Sequence, residues 1–161
     1  EGGGCRTPLI AAASYGHIKL VELLLTEGNA EVDKPKNTGS TPLFMAAQQG
    51  KTEIVKLLVT EGKAAVDKPT NDGTTPLFAA AQEGKTEIVK LLLTEGKAEV
   101  DKATNDGVTP LFIAAQNGNA EVVELLVQGG ADGNIAVQGS WTPLKIAKAR
   151  GHQAIVALLE Q

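Results

Sequence analysis

The tripeptide Thr-Pro-Leu recurs five times along the chain, beginning at Thr7, Thr41, Thr75, Thr109 and Thr142. The intervals between successive copies are 34, 34, 34 and 33 residues. A fixed period of this length is typical of a structural unit that is stacked on itself. Because such a stack has an extended surface and no single deep pocket, we expect recognition of another molecule rather than catalysis.

The composition favours a stack of short, closely packed helices. Of the 161 residues, 42% are hydrophobic but only 3% are aromatic, so Leu, Val, Ile and Ala must form the core. The formal net charge of -4 argues against nucleic acid as a partner, since phosphate binding needs clustered Lys and Arg. No apolar run approaches the roughly 20 residues of a membrane helix, so no membrane partner is expected.

The cysteine content indicates the compartment. Cys5 is the single cysteine, so no internal disulfide can form. The N-terminal residues also lack a signal-peptide pattern. The single cysteine fits either a reducing compartment or indifference to compartment, and we expect an intracellular location, cytoplasmic or nuclear.

One unit, residues 36–69, begins with a short helix. Thr41 is a suitable N-cap because its hydroxyl can accept an unpaired backbone N–H. Pro42 follows at the position where its missing N–H costs nothing. Gly50 supplies the left-handed residue that ends the helix. The equivalent glycines of the other units are Gly16, Gly84, Gly118 and Gly151.

A second helix begins near Thr52, with apolar residues at helical spacing. Gly62 is predicted to close this helix, and its equivalents are Gly28, Gly96 and Gly130. A polar segment follows, in which pairs such as Asp72-Gly73 indicate a tight turn. Each unit therefore reads as helix, turn, helix and an extended finger with a turn at its tip.

The string GSTPLFMAAQQG at residues 39–50, followed by IVKLL at residues 54–58 and by Gly62, resembles an ankyrin repeat. The resemblance covers the whole chain as a single domain of five units, at about 2–35, 36–69, 70–103, 104–136 and 137–161. It implies an all-α solenoid of helix-turn-helix units with short β-hairpin or loop fingers. It also implies a non-catalytic module that binds a protein partner and is monomeric in isolation.

The chain departs from the family pattern at three places. The His that usually follows Thr-Pro-Leu is replaced by Ile10, Phe44, Phe78, Phe112 and Lys145. The first three units carry one extra residue after the second helix, which we assign to Asn29, Lys63 and Lys97, to within one position. Gly133 stands where these units have Val32, Val66 and Val100, which predicts a looser loop.

The resemblance also implies where a partner binds, because in this family the finger tips and the inner face of the first helices usually make the contact. The finger positions are Arg6, Asn37, Thr38, Ser40, Asn71, Asp72, Thr74, Asn105, Asp106, Val108, Gln138 and Trp141. The inner-helix positions are Ser14, Tyr15, Gln48, Gln49, Gln82, Glu83, Gln116, Asn117, Ala149 and Arg150.

Two properties of this predicted surface are distinctive. It holds the only Tyr and the only Trp, Tyr15 and Trp141, which are candidates for binding hot spots or, alternatively, cover the first finger and the loop near Gly133. Its middle is acidic, which predicts a partner with basic or amide groups. The alternative for the acidic residues is ordinary solubility and turn preference; they are Asp72, Glu83 and Asp106.

The residues that could support catalysis or metal binding are scattered. His17 and His152 hold the same position in the first and last units, which stacking separates by roughly 30–40 Å, so we assign them a structural role at the start of the second helix. Cys5 has no orienting carboxylate beside it. One Asp recurs per unit, at Asp33, Asp67 and Asp101, and is expected to accept hydrogen bonds from loop backbone N–H groups. We therefore expect no enzyme, no metal and no cofactor.

The two ends differ from the middle. The last unit is more polar, as a solvent-facing cap should be, and the first unit either frays or lacks an upstream neighbour. The second and third units agree at 26 of 34 positions, which indicates recent duplication or engineering. An engineered scaffold without a natural ligand, or a structural spacer, therefore remains an alternative to the binding module.

Overall fold

A computed structural model describes residues 6–137 and 139–160 of the chain. In this part of the chain ten α-helices follow one another as five antiparallel pairs. The first helices of the pairs are α1 (Pro8–Tyr15), α3 (Pro42–Gln48), α5 (Pro76–Gln82), α7 (Pro110–Asn117) and α9 (Pro143–Arg150). The second helices are α2 (Ile18–Thr26), α4 (Thr52–Thr60), α6 (Thr86–Thr94), α8 (Ala120–Gln128) and α10 (Gln153–Leu159).

The Thr-Pro-Leu motif starts every first helix, as predicted. In each unit the threonine is the N-cap, and its hydroxyl accepts the backbone N–H three residues later at 3.1–3.3 Å. Proline occupies the first helical position. The caps of the three middle units are fully buried, so they satisfy backbone donors that water cannot reach.

The glycines predicted to end the first helices are also confirmed. Gly16, Gly50, Gly84, Gly118 and Gly151 have φ of 86°, 71°, 63°, 81° and 76°. This left-handed backbone is accessible to glycine without strain, and it turns the chain directly into the second helix.

In the first three units the second helix ends just before the predicted glycine, at Thr26, Thr60 and Thr94, with Glu27, Glu61 and Glu95 as the C-caps. Gly62 does not have a positive φ; the left-handed residue is the next one, Lys63, with φ 52°. Glycine is needed at position 62 for a different reason, since a Cβ there would lie 2.9 Å from the carbonyl oxygen of Leu58. The same geometry is found at Gly28 with Asn29 and at Gly96 with Lys97, whereas Gly130 itself has a positive φ of 90°.

This geometry also locates the extra residue of the first three units. The Ala64 N–H donates to the carbonyl of Leu58, and the Ala131 N–H donates to that of Leu126. Lys63 therefore corresponds to Gly130, and the insertion lies one position before the residue assigned from the sequence.

The pairs stack side by side in two rows. The first helices pack successively against one another from α1 to α9, and the second helices do so from α2 to α10. Paired alanines such as Ala46 and Ala47 are fully buried between the first helices, where their small size lets the backbones approach. One apolar cluster extends from α1 to α10, so each short helix is stabilised by its neighbours.

The fingers project from the stack as tight turns. In the third unit the Thr70 N–H donates to the Thr74 carbonyl at 2.9 Å, and Gly73 at the tip has φ 84°. Within residues 6–137 and 139–160 the fingers form no regular strand, and the single β-bridge joins Val137 to Trp141. The predicted all-α solenoid is confirmed, with loop fingers.

Candidate protein-binding surface

The fingers of the second, third and fourth units are joined into a row. The side-chain amide of Asn71 donates to the carbonyl of Asn37 at 2.9 Å, and that of Asn105 donates to the carbonyl of Asn71 at 3.0 Å. The backbone N–H groups of both asparagines donate to the neighbouring finger as well, to Thr38 and Asp72, each at 3.0 Å. The tips therefore form a continuous edge with a fixed spacing.

A second ladder holds the loops that follow the second helices. The Asp33 carboxylate accepts the Ala65 N–H at 3.0 Å. Asp67 accepts the Glu99 N–H at 3.1 Å, and burial raises the pKa of Asp67 while this hydrogen bond opposes the rise. The third member, Asp101, accepts the Asp132 N–H. The prediction that these aspartates accept loop backbone N–H groups is confirmed, and the structure adds that each donor belongs to the following unit, so the bonds hold adjacent units together.

The inner face of the first helices carries polar side chains. Gln49, Gln82, Glu83, Asn117 and Arg150 are exposed there, together with Ala149. Some of these groups also bond within the stack, since the Asn117 amide donates to the Gln82 carbonyl at 3.0 Å. The face is therefore partly fixed and partly available to a partner.

The flanks of this inner face are less accessible than the sequence indicates. Gln48 and Gln116 are half-buried, and the Gln116 carbonyl lies 3.1 Å from Nε2 of His152. This contact gives His152 its predicted structural role. The Ser14 hydroxyl donates to the Ile10 carbonyl at 2.7 Å, so it is already used within α1.

Finger tips and inner helix border a common groove in the second and third units. It has a volume of about 420 Å³ and is lined by Lys36, Thr38, Ser40, Phe44, Gln48, Thr70, Asn71 and Asp72. Three of these residues, Lys36, Phe44 and Thr70, were not predicted from the sequence. Phe44 fills the position where the family usually has His, and that departure was the available signal.

The predicted finger residues differ in how accessible they are. Ser40 is only 4% exposed and its hydroxyl lies 2.8 Å from that of Thr38, so it lines the groove with little accessible surface of its own. Thr74 and Val108 are half-buried, whereas Asn37, Thr38, Asn71, Asp72, Asn105 and Asp106 are exposed. Gln138 lies outside the described residues, as does Cys5.

Asp72 is held as an anion at the tip of the third finger. The Thr70 hydroxyl donates to its carboxylate, and the Thr74 N–H does so at 3.3 Å. The Thr70 hydrogen bond is the main reason that the pKa of Asp72 lies below its usual value. With Glu83 and Asp106 also exposed, the middle of the surface is acidic at neutral pH.

The two single aromatics lie at opposite ends of the surface. Tyr15 is 64% exposed, and its hydroxyl accepts a hydrogen bond from Arg6 at 3.2 Å. Trp141 is 43% exposed on the last finger. A Cβ placed on Gly133 would meet no atom within 4 Å, so the space beside that glycine is open rather than packed.

The described residues hold no group of three or more His, Cys, Asp or Glu side chains that could bind a metal ion. None of the ten helices is long and apolar enough to cross a membrane. The geometry is thus that of an extended surface formed by repeated contacts.

A family model described as "Ankyrin repeats (3 copies)" matches residues 2–68, 61–137 and 96–161. The chain belongs to the ankyrin repeat family. Ankyrin repeats are generally protein–protein interaction modules, and the family is typically non-catalytic. A comparison with curated proteins finds no sequence that matches this chain.

Proposed function

We propose that this ankyrin repeat chain is a non-catalytic binding module, and that its protein partner docks on the finger tips and the inner helix face. The observation that carries the proposal is the groove of about 420 Å³ between the second and third fingers and α3. Seven of its eight lining residues are polar or charged, and the eighth is the largely buried Phe44. This combination of shape, apolar contact and hydrogen-bonding groups is typical of a recognition site.

The charge of the surface supports a partner with basic or amide-rich groups. Asp72, Glu83 and Asp106 are exposed on the third and fourth units. Hydrogen bonds between the fingers fix the spacing of Asp72 and Asp106, and Glu83 is the C-cap of α5. A complementary positive surface would be steered towards this region, and the contact would weaken as salt screens it.

The test begins with capture of partner proteins by the 161-residue chain from a lysate of its source. Each recovered protein is then measured against two triple variants with the same change in net charge. The surface variant carries Asp72→Lys, Glu83→Lys and Asp106→Lys. The control variant carries Glu27→Lys, Glu61→Lys and Glu95→Lys, at exposed C-caps of the second helices, where Lys suits the helix dipole.

The surface variant should lose affinity by tenfold or more, roughly the effect of removing a few complementary charges, and its remaining binding should depend less on salt. The control should bind as the parent chain does. Equal affinities for the two variants would contradict the docking site. A chain shortened by one middle unit, residues 70–103, separates binding from a spacer role, because a spacer should tolerate the deletion.

A further inference from the structure

Each second helix has one face directed towards the preceding unit, and this face of α2 differs from that of every later second helix. The third residue of each second helix is apolar: Leu20, Ile54, Ile88, Val122 and Ile155. The last four are 1% exposed because the preceding unit covers them, whereas Leu20 is 41% exposed. Leu24, one helical turn further on, is half-buried, whereas its equivalents Leu58, Leu92 and Leu126 are fully buried. Leu20 and Leu24 therefore have the side chains of internal positions without the neighbour that buries them.

The polar contacts of the repeat are equally incomplete at this face. The residue before each later second helix lies over the end of the preceding first helix: Lys51 over Gly16, Lys85 over Gly50, Asn119 over Gly84 and His152 over Gly118. His17 holds this position in the first unit, and in the described part of the chain its ring makes no hydrogen bond. At the equivalent position of the last unit, the imidazole of His152 contacts the carbonyl of Gln116 in the preceding unit. His17 has the same side chain but, among the described residues, no preceding unit to contact.

The hydrogen bonds between successive loops are also incomplete at this face. Ala65, Glu99 and Asp132 each donate a backbone N–H to the aspartate of the preceding unit. Glu31 is the equivalent residue of the first unit, and its N–H has no acceptor among residues 6–137 and 139–160. Apolar, imidazole and backbone groups thus present, on one face, the contacts that join neighbouring units elsewhere.

The opposite face of the stack, on α9, carries a charged residue at a position where the other units have alanine. Lys148 holds the position of Ala13, Ala47, Ala81 and Ala115, all fully buried by the following unit. Its ammonium group instead pairs with Glu160 at 2.6 Å in a partly exposed position. A second copy that presented this end to α2 would have to bury Lys148, which is unfavourable. Head-to-tail stacking of identical chains therefore does not fit.

From these contacts we infer that the α2 face, formed by His17, Leu20, Leu24 and the Glu31 N–H, is a docking surface for one further ankyrin unit that precedes the first unit in the same polypeptide. Its second helix would cover Leu20 and Leu24. The end of its first helix would offer a carbonyl to His17, and its loop would place a carboxylate at the Glu31 N–H.

The test extends the chain by a copy of residues 36–69 inserted directly before residue 2, which preserves the 34-residue spacing of the motif. Leu20→Lys is made in both the original and the extended chain. The matched control is Lys19→Glu, because Lys19 and its equivalents Glu53, Glu87 and Glu121 are all exposed. Helix content is followed by circular dichroism and stability by the thermal midpoint.

The extended chain should gain about one fifth in helical signal per molecule, as expected for one added unit. Leu20→Lys should lower its midpoint by roughly 5–10 °C but change that of the original chain by less than about 2 °C. Lys19→Glu should be neutral in both. Equal effects of Leu20→Lys in the two chains, or an added unit that contributes no helix, would overturn the inference.

Two further measurements test whether the unit that covers the α2 face belongs to the same polypeptide or to a second copy of the chain. Sequencing the polypeptide upstream of Glu1 should find a helix-capping motif 34 residues before Thr7, and an upstream segment without a helical pair would overturn the assignment to the same polypeptide. Sedimentation of the 161-residue chain should give a monomer. A dimer that dissociates on Leu20→Lys would instead assign the face to a second copy.

Discussion

At the C-terminal end of the stack Lys148 stands where the internal units have a buried alanine, whereas at the N-terminal end Leu20 keeps the apolar residue of an internal position. Both residues lie on faces that lack a neighbour in the described part of the chain. Of these two residues, only Lys148 has a side chain suited to water. The comparison shows that position in a repeat does not determine burial, because burial depends on whether the next unit is present.

The sharpest test of this comparison exchanges the residues of one repeat position between an internal and a terminal unit. Ala115→Lys should destabilise the chain by roughly 3–5 kcal/mol, because it places an unpaired charge between α7 and α9. Lys148→Ala should change stability by less than about 1 kcal/mol, since an exposed ion pair contributes little. Urea unfolding measures both, and similar costs would contradict the cap assignment.

The next test removes apolar side chains from the equivalent positions of α4 and α2. Ile54→Ala should cost about 2–5 kcal/mol by leaving a cavity between the units. Leu20→Ala should cost well under half as much, since its side chain is already partly in water. Chemical denaturation gives both values, and a loss at Leu20 as large as that at Ile54 would show that α2 is covered in solution.

A smaller difference is expected for the helix caps. Thr75→Ala should cost about 1 kcal/mol, up to 2, because the Phe78 N–H loses its acceptor in a site without water. Thr7→Ala should cost less, because the first cap is half-buried and water can replace it. Thr75→Ser, which keeps the hydroxyl, should restore most of the loss in a thermal unfolding series.

The smallest expected effect concerns Asp72 in an internal finger. Its pKa in the folded chain lies below the ordinary value of 3.8, so the ionised carboxylate stabilises the finger at neutral pH. The stabilisation of the folded chain by the ionised Asp72 is complete above the unfolded-state pKa of 3.8. It is lost as the pH falls from 3.8 through the lower pKa of Asp72 in the folded chain. An NMR titration of the Asp72 carboxyl carbon measures it, and a midpoint at or above 3.8 would contradict the Thr70 contact as its cause.

Features that depend on a few consecutive residues could be predicted from the sequence. The Thr-Pro start and the glycine after each first helix were predicted, because capping and left-handed backbone are local properties. The sequence predicted that Gly62 closes the second helix but not the reason for that glycine, which is the approach of the Leu58 carbonyl one helical turn away. The hydrogen-bonding role of Asp33, Asp67 and Asp101 was predicted, but that their partners lie in the following unit was not.

The candidate surface was less predictable for the same reason. Ser40 was assigned to the contact surface by its position, yet the packing of the finger against the stack buries it. Lys36, Phe44 and Thr70 were not assigned, and they join the groove only because two fingers and α3 lie side by side. Which side chains share a concavity depends on distances between units, and these distances are not encoded in any one unit.

The sequence by itself determined the number of units, the start and turn of each helix pair, and the membership of the ankyrin repeat family, because the motif is local and its period is fixed. Only the tertiary structure decided which side chains form hydrogen bonds between units, which finger residues are accessible, and that Leu20 and Lys148 both lie on faces without a neighbouring unit in the described part of the chain. The physical reason is that hydrogen bonds and burial between units depend on how neighbouring surfaces meet in space.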